Sequence, residues 1–198
     1  MKKLLRPMVV GVALLATVAT PAAGIAKICV LSAFIGGQLD SYTPDGQRTT
    51  PTIHLGACNA TGVAVDAAGR IQISSRCPRA DLRTFDADGK PASPVFIGNE
   101  AQGIAVDGAG RLYLLRYSCL KKGRISIWGQ DRQRLSPGVV VPVDDILNAI
   151  ALGPDGRIHV VAEGRVIIKV YDSGLNDTGI TIRGGMNISR GVAVGPDG

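Results

Sequence analysis

Four polar residues stand where a repeated strand would begin: Asn59, Glu100 (beside Asn99), Asn148 and Asn187. A carboxylate with several amide oxygens is the donor set that hard divalent cations such as Ca2+ prefer. Such residues also serve ordinary turns, where an Asn side chain bonds its own backbone. Their distances from the strand differ (three, three, one and four residues before it), which weakens a shared ring. His159 could serve as an acid–base group, but a surface or lining residue is the first expectation there, and His54 lies in a different unit. Two histidines cannot build a three-histidine zinc site, and no Cys-x-x-Cys pair occurs. No Ser-His-Asp order, phosphate loop or dinucleotide fingerprint is present, so no catalytic residue is assigned. A divalent cation is the one cofactor candidate.

Cys58 lies just before one strand and Cys77 just after the strand that returns beside it, so a disulfide between them is the first expectation in an oxidising compartment. Cys119 occupies the place of Cys77 one unit later and competes for the bond; unpaired structural cysteines are the alternative. Cys29 suits a core position. Arg116, Lys121, Lys122, Arg124, Arg132 and Arg134 make one unit locally basic, either as a solvated loop or as a contact for an anionic surface.

The elements that must carry these residues announce themselves by repetition. Gly62-Val-Ala-Val-Asp-Ala-Ala-Gly-Arg70 returns from Gly103, from Ala149 and from Gly191, at spacings of 41, 46 and 42 residues. Downstream in each unit an aromatic recurs at Tyr42, Phe85, Trp128 and Tyr171, each 43 residues after the last. Val63 and Val65 alternate with Gly62 and Ala64, a period of two that predicts a strand with one small-residue face. Pro154, Asp155 and Gly156 then predict a type I turn closed by a glycine bulge. Ile71–Ile73, Leu112–Leu114 and Ile158–Val160 predict the returning strands, and third strands end on the aromatics (Leu82–Phe85, Ile125–Trp128, Ile167–Tyr171). Looser fourth strands follow, such as Val95–Ile97 and Gly179–Ile182. Four antiparallel strands per 43 residues with no helical period describe an all-β fold, a β-propeller of four-stranded blades. A β-helix would repeat over a shorter span.

Residues 1–26 are different material. Lys2, Lys3 and Arg6 precede an apolar run from Met8 to Ala19, and small residues after Pro21 offer cleavage after Ala23, Gly24 or Ala26. This predicts a secretory signal peptide and a secreted or periplasmic protein, with no membrane span once the leader is removed. The run is shorter than the ~20 residues a spanning helix needs. The three basic leader residues carry half of the +6 net charge, so the mature chain is only mildly basic and nucleic acid is not the expected partner. Of 198 residues 45% are hydrophobic, which excludes wholesale disorder, and the 26 glycines follow no Gly-X-Y period, which excludes collagen. Residues 27–198 then form one repeat domain with units starting near 62, 103, 149 and 191, the last completed by 27–61. Joining Gly198 to Lys27 would restore the repeat phrase, so two readings stand equally: the C-terminal strand closes a four-bladed ring against the N-terminal unit, or the chain is a portion of a larger ring.

Gly-Ile-Ala-Val-Asp-Gly-Ala-Gly-Arg-Leu-Tyr-Leu (103–114) and Phe85-Asp-Ala-Asp-Gly-Lys90 resemble the NHL-repeat consensus. The Gly-Pro-Asp-Gly versions are similar to repeats of streptogramin lyases and gluconolactonase-type propellers. The resemblance implies a propeller across the mature chain, and for the gluconolactonase type a metal held by oxygen ligands near the axis. It does not specify an activity, because these residues make turns and fill cores. The residues favour a binding or interaction module for a protein, peptide or carbohydrate. The alternative is a metal-assisted lyase or lactonase at the mouth of the axial channel, for which Glu100 is the aligned acid.

Overall fold

The computed structural model describes residues 13–18, 27–32, 37–49, 52–56, 59–76, 81–92, 95–96, 101–117, 123–141, 146–162, 167–184 and 191–195. These residues form four antiparallel sheets of four strands. The first holds β1 (Ala13–Val18), β2 (Lys27–Ser32), β3 (Gln38–Tyr42) and β4 (Ile53–His54). The second holds β5 (Asn59–Val65), β6 (Ile71–Arg76), β7 (Asp81–Phe85) and β8 (Val95–Phe96). The third holds β9 (Ala101–Val106), β10 (Leu112–Tyr117), β11 (Gly123–Trp128) and β12 (Val139–Val141). The fourth holds β13 (Leu147–Leu152), β14 (Ile158–Ala162), β15 (Ile167–Tyr171) and β16 (Asp177–Arg183). Within each sheet the strands lie side by side in chain order.

One turn, used seven times among the described residues, produces these hairpins. Its first residue donates its N–H to the fifth residue's carbonyl and accepts from the fourth residue's N–H, as in Asp66 N–H to Arg70 O (3.0 Å) and Gly69 N–H to Asp66 O (2.9 Å). The fourth residue must take positive φ, which L-residues with a Cβ resist. Gly46, Gly69, Gly89, Gly110 and Gly156 hold that place with φ between 74° and 83°; Arg132 (66°) and Leu175 (68°) hold it in the other two. Asp66 Oδ1 also accepts from the N–H groups of Ala68 and Arg70, and Asp86 and Asp107 repeat the arrangement. The recurring aspartates are therefore turn-makers.

The apolar faces meet between sheets. Leu31, Leu39 and Leu55 pack with Val63, Ile73 and Phe85 between the first two. Leu82 packs with Ile104, Leu112 and Leu114 between the second and third. Tyr113 and Ile125 pack with Ile150, Val160 and Tyr171 between the third and fourth. The inner strands β5, β9 and β13 contact one another in succession, and the small-residue face explains how they come so near. A Cβ on Gly62 would stand 3.2 Å from Gly103 Cα and 3.1 Å from Ile104 N, and one on Gly103 would stand 3.3 Å from Ile150 Cγ2.

The structure departs from the closed-ring reading. The inner strand beside β2 is β1, from the apolar N-terminal run, with Ala13 opposite Ser32 and Val18 opposite Lys27. Residues 191–195, the fourth copy of the inner-strand phrase, lie outside any strand, although Val194 approaches Gly153 at the end of β13. A strand adjacent in sequence closes a short loop onto β2, whereas the distant copy must close a loop spanning the whole array, and loop entropy favours the neighbour. Among the described residues the four sheets are not closed into a ring. No helix among the described residues is long and apolar enough to cross a membrane.

Candidate functional site

Of the four polar residues expected at the strand starts, Asn59 and Asn148 lie among the described residues. Asn59 is the exposed first residue of β5, opposite Arg76, and Asn148 is half-buried in β13. Glu100, Asn187, Cys58, Cys77 and Cys119 lie outside the described residues. Among the described residues no three His, Cys, Asp or Glu side chains come together as a metal cluster would require. Cys29 is fully buried, with its Sγ 3.8 Å from Ser41 Oγ. His159 is half-buried on β14, and its Nδ1 is enclosed without a hydrogen-bond partner among the described residues.

The inner strands do carry a recurring polar position, one residue before the Gly62, Gly103 and Ala149 of the phrase. The β5–β6, β9–β10 and β13–β14 ladders each skip register there, leaving Thr61, Gln102 and Asn148 as bulge residues. Thr61 Oγ1 donates to Ala101 O (2.5 Å) on the next sheet and lies 3.1 Å from Ser74 Oγ. Gln102 is buried. Of the four residues singled out from sequence only Asn148 belongs to this belt; aligning the residue before each phrase would have found the other two. Through Thr61 this position ties the second sheet to the third.

At the outer turns, the two non-glycine residues with positive φ reach back toward the preceding sheet. Arg132 Nη2 donates to Gln72 Oε1 (2.9 Å) and Thr84 Oγ1 (2.7 Å), both buried on the second sheet, and Thr84 Oγ1 donates to Gln72 (2.8 Å). Burial lowers the Arg132 pKa, neighbouring Arg70 lowers it further, and Asp66 opposes them. Leu175 instead joins the core around Tyr113, which fills the slot of Gln72 one unit on. A backbone held in this region costs about 1 kcal/mol, so each side chain has to return at least that much by filling its wedge. Two other guanidiniums of the basic unit have partners nearby, while Arg124 is exposed on β11. Arg116 lies 5.3 Å over the Trp128 ring, and Arg134 bonds the carbonyls of Ser136 and Pro137. Lys121 and Lys122 of the same unit lie outside the described residues.

In the second sheet the equivalent turn position is Gly89, with no side chain, and a cavity of about 530 Å³ lies beside it. Its walls are Thr52, Ile53 and His54 from the edge of the first sheet, and Arg83 to Phe85 with residues 88–92 from the second. Ile53, Phe85, Pro91 and Ala92 supply apolar surface, while Arg83, Lys90 and Asp88 supply charge. Arg83 is anchored across the gap by Nη1 donating to Leu55 O (2.6 Å), and Lys90 and Asp88 are exposed at the rim. The volume falls in the range of small-ligand pockets. Its sequence signal was present but unread: Gly89, Arg132 and Leu175 stand exactly one 43-residue period apart.

With this geometry in place the solved structures decide the scaffold. Virginiamycin B lyase from Staphylococcus aureus superposes with a TM-score of 0.63 at 13% identity, over 91% of this chain and 59% of that one. A chain of the nidogen/laminin complex gives 0.65 at 15% identity, over 93% and 69%. The scaffold is propeller-like. A protein of unknown function from Bacteroides caccae gives 0.59 at 12% identity, and the present chain spans only 61% of its length. No family model and no curated protein matches the sequence. Identities this low speak for the fold alone.

Proposed function

We propose that the chain is an exported, NHL-like β-propeller binding module that takes its ligand in the wedge between the outer edges of the first and second sheets. One observation carries this reading. The equivalent turn position is filled by Arg132 and Leu175 in the two later wedges and left open by Gly89 in the first, beside a cavity of ligand size. A wedge left open in a repeat that elsewhere fills it is where a partner can replace the missing side chain, and rigid repeats present such sites without paying for reorganisation. Export rests on the basic–apolar–small order of residues 1–26.

The reading is tested by amide-resolved NMR titration with a set of small fragments of mixed charge. Chemical-shift changes should concentrate at residues 52–54 and 83–92. Changes concentrated at Thr61, Gln102 and Asn148 would move the site to the axis and refute the wedge.

A further inference from the structure

We infer that the outward face of the fourth sheet docks the first sheet of a second copy of this chain. Each contact between neighbouring sheets sets an aromatic from one unit against an aliphatic from the unit before. Leu39 and Phe85 share the core between the first two sheets, Leu82 and Trp128 that between the second and third, and Ile125 and Tyr171 that between the third and fourth. Both series keep the 43-residue period, so the aliphatic one runs on to Ile168 and the aromatic one starts at Tyr42. The chain therefore carries both halves of a fourth pair. Leu39, Leu82 and Ile125 are buried, whereas Ile168 and Tyr42 are only half-buried and join no core cluster among the described residues. Around Ile168 the face continues with Ile182, opposite it on β16, and with Ile180, two residues before; both are exposed. Around Tyr42 it continues with half-buried Val30, and Arg48 balances Asp40 there at 3.3 Å. Exposed apolar side chains grouped on one sheet face mark a contact surface, and here the three completed pairs state what fits it. Because the four sheets are not closed into a ring among the described residues, the two halves lie at opposite ends of the array, and a second copy supplies what each lacks. The contact is head-to-tail, each copy offering a different face. Residues 191–195, with Val194 beside the end of β13, stand where the inner strand of the incoming sheet would lie.

The test is sedimentation velocity of the full chain from low to high micromolar concentration. The chain should pass from monomer to dimer or to longer head-to-tail assemblies. Hydrogen exchange compared at the two ends of that range should show added protection at Gln38–Tyr42 and at Asp177–Arg183 together. Ile180→Lys combined with Ile182→Lys, at exposed positions that leave folding untouched, should weaken association at least tenfold. Leu135→Lys, at an exposed apolar residue of the third unit, should not. Tyr42→Glu should also weaken association at least tenfold. Mixed with the double variant it should form one-to-one dimers, since each retains the face that the other has lost. A chain that stays monomeric throughout, or an assembly that the double variant leaves intact, would overturn the proposal. Protection gained at Asp177–Arg183 without Gln38–Tyr42 would mean that the fourth sheet meets its own like, and would overturn it as well. The exchange comparison needs no variant, so the outcome does not depend on Tyr42→Glu folding.

Discussion

Tyr171 carries its hydroxyl into the core between the third and fourth sheets, where it finds no hydrogen-bond partner among the described residues. Burial, with Asp177 nearby, pushes its pKa up to about 12. An unfolded tyrosine titrates near 10, so between about pH 10 and 12 the unfolded chain has lost a proton that the folded chain keeps. That difference removes stability as pH rises, on the order of 2 kcal/mol over the window. Tyr171→Phe should abolish this decline and raise stability at pH 7 by about 1 kcal/mol, because it deletes an unsatisfied buried group. Urea melts of both proteins at pH 7 and pH 11 check it, and an equal pH response in the two would refute it. Arg132 offers a second comparison. Arg132→Gly relieves the turn but loses the bonds to Gln72 and Thr84, for a net loss of about 1 kcal/mol. Arg132→Leu keeps the strain and loses the bonds, for about 2 kcal/mol. A Gly variant more stable than the parent would mean that the clasp contributes less than the strain it needs.

Among the elements, the inner strands depend on glycine for their spacing. A Cβ on Gly62 would stand 2.9 Å from Ser74 Oγ and 3.1 Å from the backbone nitrogen of Ile104, so two sheets must part to admit it. Gly62→Ala should lower stability by about 1–2 kcal/mol, visible as a drop in Tm, whereas Gly108→Ala, where a Cβ meets nothing within 4 Å, should not. The strand order within each unit was legible from alternation and from Asp-x-x-Gly turns, because these chemistries are local. Arg132 and Leu175 were not read as turn residues, because the signal sought was glycine itself and not the place it occupies. Thr61 and Gln102 escaped for a related reason: a bulge is a property of the ladder between two strands, and neither strand alone shows it. The expected disulfide between Cys58 and Cys77 falls outside the described residues and stays an expectation.

For the whole molecule the open question is which segment lies beside β2. The repeat points to the Gly191 phrase, and the structure uses Ala13–Val18. Removal of residues 1–26 would strip the first sheet of that strand and expose an edge that invites pairing. We expect the chain from Lys27 onward to recruit 191–195 into the vacated place. Hydrogen exchange on that chain should show new protection at 191–195 and retained protection across Lys27–Ser32. Fast exchange in both segments would instead make β1 an integral part of the first sheet. The propeller-like scaffold was legible at this scale because repetition is written along the chain. The neighbour of β2 was not, because two segments of similar apolar character compete for one edge and only loop entropy separates them.

Each sheet is one uninterrupted stretch of chain, and this bears on the order in which the protein is made. Hairpins close over short loops, so a sheet can form as soon as its own four strands have been synthesised, without waiting for a distant partner. Its apolar face, however, is covered only when the next unit arrives, one period of 43 residues later. During synthesis the growing end therefore always presents one uncovered face, and a stall between units leaves the chain most prone to aggregate.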